Sequence, residues 1–188
     1  MIRVLLFFNV LFILFSCQKE IVWGITPVPT GDYQPVSAGS EWNYNSTSAG
    51  NYLLKSLGTD SIINGRKYFK FDRSASGTSI RSYISKSNGI YRQFGNFAPI
   101  NQVIEMVYLK DSAVGSSWIE TINIGGFNNY HKYTISAKDI QRTVNGVIFK
   151  NVIELDYQLS LDNPLGGPTI IAGGGKNFYA KNVGAIES

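Results

Sequence analysis

Glu154 and Asp156 are the first residues in this sequence whose types and spacing could do chemistry. On an extended strand, side chains two apart share a face about 7 Å from each other. That separation falls inside the roughly 5 to 9.5 Å over which two carboxylates hydrolyse a glycosidic bond. Alternating charge on the wet face of a strand is the commoner reason for such a pair. His131, between Tyr130 and Lys132, is the single histidine. A serine nucleophile needs only one histidine as its base, but the chain has no G-x-S-x-G elbow to present that serine. The run GGGK at 173–176 invites a phosphate-loop reading. Ile170 stands where the first glycine should be, and Asn177 replaces the Ser or Thr that would touch magnesium. A mobile hairpin loop over 163–175 is the expectation instead. One histidine and one cysteine, Cys17, also leave no set of three or four ligands for zinc or copper. The sequence therefore predicts no catalytic residue, no metal and no cofactor, and a protein that is not an enzyme.

The elements that must carry these side chains read as strands. Asn64-Gly65 and Asn145-Gly146 each sit between β-prone runs, and Asn-Gly tolerates the positive φ of a tight hairpin turn. From Ile153 to Leu161 the chain alternates, with Ile153, Leu155, Tyr157, Leu159 and Leu161 on one face and Glu154, Asp156, Gln158 and Ser160 on the other. Phe69 and Phe71 give a shorter version of this pattern. Ile100, Val103, Ile104, Val107 and Tyr108 fit both a helical face and a strand, and their β-branched content favours the strand.

Three ordered self-similarities divide the chain in two. GSEW at 39–42 recurs as GSSW at 115–118. NYLLKSLGTDSIINGRKYF, which contains Tyr52 and Leu54, recurs as HKYTISAKDIQRTVNGVIF, and YISKSNGIY at 83–91 recurs as FYAKNVGAI at 178–186. The spacing widens along the chain, as loop insertions in a duplicated unit would make it. Trp42 and Trp118 open the two halves, and large indoles in that setting anchor a core. The expected fold is all-β: an antiparallel sandwich or open half-barrel built from two pseudo-repeats, about 33–92 and 109–188, within a β domain over 33–188.

The N-terminus is of another kind. Arg3 precedes an apolar run from Val4 to Phe15 broken only by Asn9, too short for the roughly 20 residues of a permanent membrane helix. This is a signal-peptide layout over residues 1–16. Its last residues, Leu14-Phe15-Ser16-Cys17, resemble the lipobox of bacterial lipoproteins. That resemblance implies cleavage before Cys17 and a lipid on its thiol, hence an anchor in the bacterial outer membrane. It also consumes the one cysteine, so no disulfide can form. Residues 17–32, with Gly24, Pro27, Pro29 and Gly31, read as an extended tether. Lys19 and Glu20 are similar to the charged residues behind the cysteine in surface-displayed Bacteroidetes lipoproteins. The sequence leaves the periplasmic and surface faces both open.

The order G-x-x-W at Trp42, I-N-G over Ile63 to Tyr68, the segment Tyr83 to Tyr91, then Tyr108 to Trp118 and a closing Tyr179 to Ile186 resembles uncharacterised β-rich segments of exported Bacteroidetes proteins. The resemblance implies architecture and carries no catalytic residue. Asp60-Ser61-Ile62 and Asp111-Ser112-Ala113 are similar to the O-glycosylation triplet of that group, which marks Ser61 and Ser112. Against 13 acidic residues the chain has 17 basic ones, with Arg3 in the leader and no Lys/Arg cluster longer than two. That excludes a nucleic-acid footprint. The functional expectation is a membrane-anchored lipoprotein with a non-enzymatic binding or accessory role in the cell envelope, its partner an envelope protein or a glycan. The alternative is a carrier that holds an apolar ligand in a β half-barrel. Aromatic residues, 13% of the chain, could fill a core or line such a cavity.

Overall fold

The computed structural model describes residues 31–46, 50–97 and 102–188. The signal segment, Cys17 and most of the tether lie outside them. Eleven strands follow one another: β1 (Glu41–Ser46), β2 (Gly50–Ile63), β3 (Arg66–Ala75), β4 (Thr78–Ser87), β5 (Ile90–Phe97), β6 (Gln102–Lys110), β7 (Ser117–Ile124), β8 (Phe127–Val144), β9 (Val147–Leu161), β10 (Ile170–Ala180) and β11 (Gly184–Glu187). They form two antiparallel sheets, β1 to β6 and β7 to β11, each a meander with neighbours in chain order. Each sheet curls into a half-barrel.

Local backbone chemistry sets the hairpins. Asn64-Gly65, Asn88-Gly89 and Asn145-Gly146 all have positive φ at both positions, the two-residue turn whose twist matches the flanking strands. The paired sequence segments fall on corresponding strands. GSEW runs into β1 and GSSW into β7, the two Asn-Gly turns join β2 to β3 and β8 to β9, and the last pair forms β4–β5 and β10–β11. Gly58 and Asp139, at matching places in the aligned segments, both lie at positive φ, 67° and 57°, where the β2–β3 and β8–β9 registers slip. Beyond these bulges the two Asn-Gly hairpins extend as arms. Of the segment that fits both helix and strand, Val103 to Tyr108 lie in strand β6, on the edge of the first sheet, and Ile100 lies outside the described residues.

The inner faces meet at one end. Ile135, Ile153 and Leu155 of the second sheet are buried against Tyr91 and Leu109 of the first, with Tyr33 among them. Both tryptophans bridge a seam between the sheets. The Trp118 indole N–H donates to the Val107 carbonyl at 2.9 Å, across β6 and β7. That of Trp42 donates to the Val183 carbonyl beside β11, and the Tyr44 hydroxyl follows to the Ala185 carbonyl at 3.1 Å. An N-terminal segment closes this end. Gly31 donates to the Asn182 side chain, Asn182 N–H to the Asp32 carbonyl, and Tyr33 N–H to the Tyr91 hydroxyl. Asp32 also pairs with Lys86. Gly31 and Asp32, the last residues assigned to the tether, are thus bound to the folded domain.

A second apolar cluster lies on the outer face of β9 and β10. Val152, Phe178 and Ala180 are buried beneath Ile140 and Phe149 of the β8–β9 arm, and Arg142 stacks on Phe178 while pairing with Glu187. The bulges at Asp139 and Asn151 bend the arm onto that face.

Candidate ligand cleft

At the end opposite Tyr33 the inner faces part. Strand alternation carries the core rows outward along each strand: from Leu155 through Tyr157 and Leu159 to Leu161 on β9, from Trp118 to Ile122 and Ile124 on β7, and from Leu109 to Met106 and Ile104 on β6. Side chains of the same rows that are buried at the closed end are only half-buried here. Three inner-face glycines, Gly95 on β5 and Gly173 and Gly175 on β10, sit in open space, for a Cβ built on any of them meets nothing within 4 Å. The inner faces therefore meet at one end and part at the other, and this open cleft is lined by Ile104, Met106, Leu159 and Leu161 together with Gln93, Glu120 and His131.

An aromatic series leads into it. The Trp118 and Tyr133 rings stack with centroids 5.2 Å apart, Tyr133 and Tyr157 follow at 5.2 Å, and His131 lies against Tyr157 at 6.0 Å. The His131 Nδ1 is 2.9 Å from the Tyr157 hydroxyl. Burial holds the His131 pKa below its ordinary value and pushes that of Tyr157 up. The phenol therefore keeps its proton beside a neutral ring, and the tautomer of His131 sets which of the two donates. Deeper in, Tyr108 lies between Tyr91 and Tyr179, with ring centroids at 6.4 and 5.9 Å. Its hydroxyl is buried with no hydrogen-bond partner. Burial pushes the Tyr33 phenol up to about 12, with Asp111 and Asp139 adding to the shift. Burial thus keeps Tyr33, Tyr108 and Tyr157 protonated at physiological pH.

The residues singled out in the sequence are dispersed. Glu154 and Asp156 share the outer face of β9, as alternation requires, and both meet Lys176 of β10, Asp156 at 3.6 Å. The Lys176 contact and a Ser136 hydroxyl hold the Glu154 carboxyl below its usual range, opposite to the raised value that a general acid needs. The pair is a solvated ion triad on the convex side, away from the cleft. His131 is half-buried on the inner face rather than at a plain surface position. Ser61 is half-buried within β2, and Ser112, between β6 and β7, has its hydroxyl oxygen buried. A glycan on Ser112 would require that connection to open.

One expectation is corrected. Residues 170–175 are not loop but the first half of β10, paired with β9 from Ile170 to Ala180, and the connecting loop is confined to 162–169. Backbone pairing holds the glycine run in the sheet, and at Gly174 a Cβ would lie 2.7 Å from the Tyr157 carbonyl oxygen. Sequence reasoning missed Tyr33, Tyr108 and the open glycines. Only the alternating row on β9 pointed toward this face.

Two shallow grooves lie elsewhere. One, of about 360 Å³, runs over Asn43, Asn51 and Ser74, and the other, also about 360 Å³, over Lys132, Asp156 and Gly174 on the outer face, reaching Tyr157 and Gly173 at the sheet. Among the described residues no group of three His, Cys, Asp or Glu is placed to hold a metal ion. By its fold the chain belongs to the all-β architectures made of two antiparallel half-barrels. No family model, curated protein or solved structure matches it.

Proposed function

We propose that this chain is a lipid-anchored binding protein of the bacterial cell envelope, without catalysis of its own, and that its binding surface is the open end of the cleft. The observation that carries the reading is the asymmetry of the inner faces. One end is sealed by Tyr33 and two tryptophan seams, while the other keeps half-exposed apolar rows and unfilled space over Gly95, Gly173 and Gly175. Apolar surface held open by a rigid frame is the usual mark of an interaction site. The anchor rests on Leu14-Phe15-Ser16-Cys17 behind a short apolar run. Such a lipid would hold the cleft near the membrane on a short extended lead. Labelling of cells with a clickable fatty acid tests the anchor: the wild type takes up the label and Cys17→Ser does not. Equal labelling of the two would refute it.

The carrier reading has one observation in its favour, the apolar character of Ile104, Met106, Leu159 and Leu161 along the cleft wall. Native mass spectrometry of protein purified from membranes separates the two. Co-purifying lipid favours the carrier. A bare mass, with an envelope protein captured through the cleft, favours the binding role.

A further inference from the structure

The groove over Asn43, Asn51 and Ser74 is built from one face of three strands. Register sets Asn45 beside Asn51 and Asn43 beside Leu53 across β1 and β2, and Leu53 beside Ser74 across β2 and β3, so these side chains share one side of the sheet. The three asparagines are exposed and Leu53 is half-buried. No residue from Asn43 to Leu54 or from Ser74 to Ile80 carries a charge. The next residues on that face, Glu41, Lys55, Asp72 and Arg81, neutralise one another in pairs, Lys55 with Glu41 and Arg81 with Asp72, each at 2.6 Å. Arg73 belongs to the opposite face, where its guanidinium lies 4.1 Å from the centre of the Tyr52 ring. That face also steadies the strands: Tyr44 and Tyr52 stack with centroids 4.9 Å apart, and the Tyr44 hydroxyl donates to the Ala185 carbonyl of the second sheet. The second half holds a groove of the same volume at the matching place, since Thr134 pairs with Asp156 as Leu53 pairs with Ser74. There Lys132 and Asp156 stand where the first groove has Asn51 and Ser74. The shape is common to both halves, and the uncharged lining is what sets the first apart.

We propose that this groove is a binding site for one ring of a neutral saccharide. Each side-chain amide both donates and accepts, and so does each sugar hydroxyl. Asn43, Asn45 and Asn51 can therefore meet adjacent hydroxyls of a ring, with the Ser74 and Ser76 side chains at the margin, while Leu53 takes the ring's C–H face. An anionic ligand would find no cation in the lining, and a purely apolar one would leave the amides stripped of water and unpaired. At about 360 Å³ the groove lies at the small end of ligand pockets, which run from roughly 300 to 1,000 Å³. That suits a single ring of a longer glycan. The site is separate from the cleft, and neither reading depends on the other.

The test runs the full chain, extracted in a neutral detergent, through native gels that contain dextran, mannan or galactan. Poly(ethylene glycol), an uncharged polymer without ring hydroxyls, is the control. At least one of the three polysaccharides should retard the protein, and poly(ethylene glycol) should not. Asn43→Ala and Asn51→Ala, both at exposed side chains, should each weaken that retardation at least tenfold, measured as the polymer concentration for half effect. Gln158→Ala, in the groove of the second half, should leave it unchanged. Retardation by none of the polysaccharides would overturn the proposal, as would equal retardation by poly(ethylene glycol). Retardation that survives both asparagine variants would overturn it too, by placing the saccharide elsewhere on the molecule.

Discussion

Tyr108 holds a buried hydroxyl with no partner inside an otherwise aromatic setting. A buried donor left unmade costs on the order of 1 to 3 kcal/mol, so Tyr108→Phe should leave stability unchanged or raise it by about 1 kcal/mol in denaturant unfolding. A loss larger than about 1 kcal/mol would reveal a partner for that hydroxyl. The opposite holds for Trp118, whose N–H meets the Val107 carbonyl at 2.9 Å. Trp118→Phe should cost roughly 2 to 3 kcal/mol, from the orphaned carbonyl and the smaller ring together. His131 sets a pH dependence. Its folded pKa lies below the ordinary value because burial disfavours the cation. Above both values the ring is neutral in both states and adds no slope. As pH falls, the unfolded chain takes the proton first, so stability declines below about 6.5 until the folded ring also titrates. The decline between about pH 7 and 5.5 should flatten in His131→Gln, before carboxylates begin to titrate. Parallel profiles would contradict the assignment.

Strands and turns were legible where the signal is local. Asn64-Gly65 and Asn145-Gly146 announce their turns because the positive φ is a property of those residues. Ile153 to Leu161 announces a two-faced strand by period alone. The bulges were not legible, since Asp139 has no sequence mark of its 57° φ and takes that conformation to bend β8. Nor was β10, because glycine has no side chain to alternate, and only pairing with β9 makes it a strand. The bulges can be probed in parallel. At Gly58 a Cβ would lie 2.4 Å from that of Ala38, at a φ of 67°, so Gly58→Ala should destabilise by about 2 kcal/mol or more. Asp139→Gly trades strain for chain entropy and should change stability by less than about 1 kcal/mol. Comparable losses at both sites would show that the two bulges do not share a conformation.

At the scale of the molecule, two half-barrels are joined by their tryptophan seams and sealed at one end by the segment from Gly31 to Ser40. The sequence pointed to the pairing of the tryptophans and to the half-barrel alternative. It could not point to the cleft, whose walls come from both sheets and whose openness lies in what three glycines leave unfilled. The most direct measurement of the central claim places the photo-reactive residue benzoylphenylalanine at position 95 or 173 in cells. Both glycines lie outside the positive-φ region, and a Cβ built at either meets nothing within 4 Å. Thr121, exposed on the outer face of β7, serves as the control position. The account predicts a discrete adduct from positions 95 and 173 and none from 121. Adducts from the outer position alone, or from no position, would contradict it.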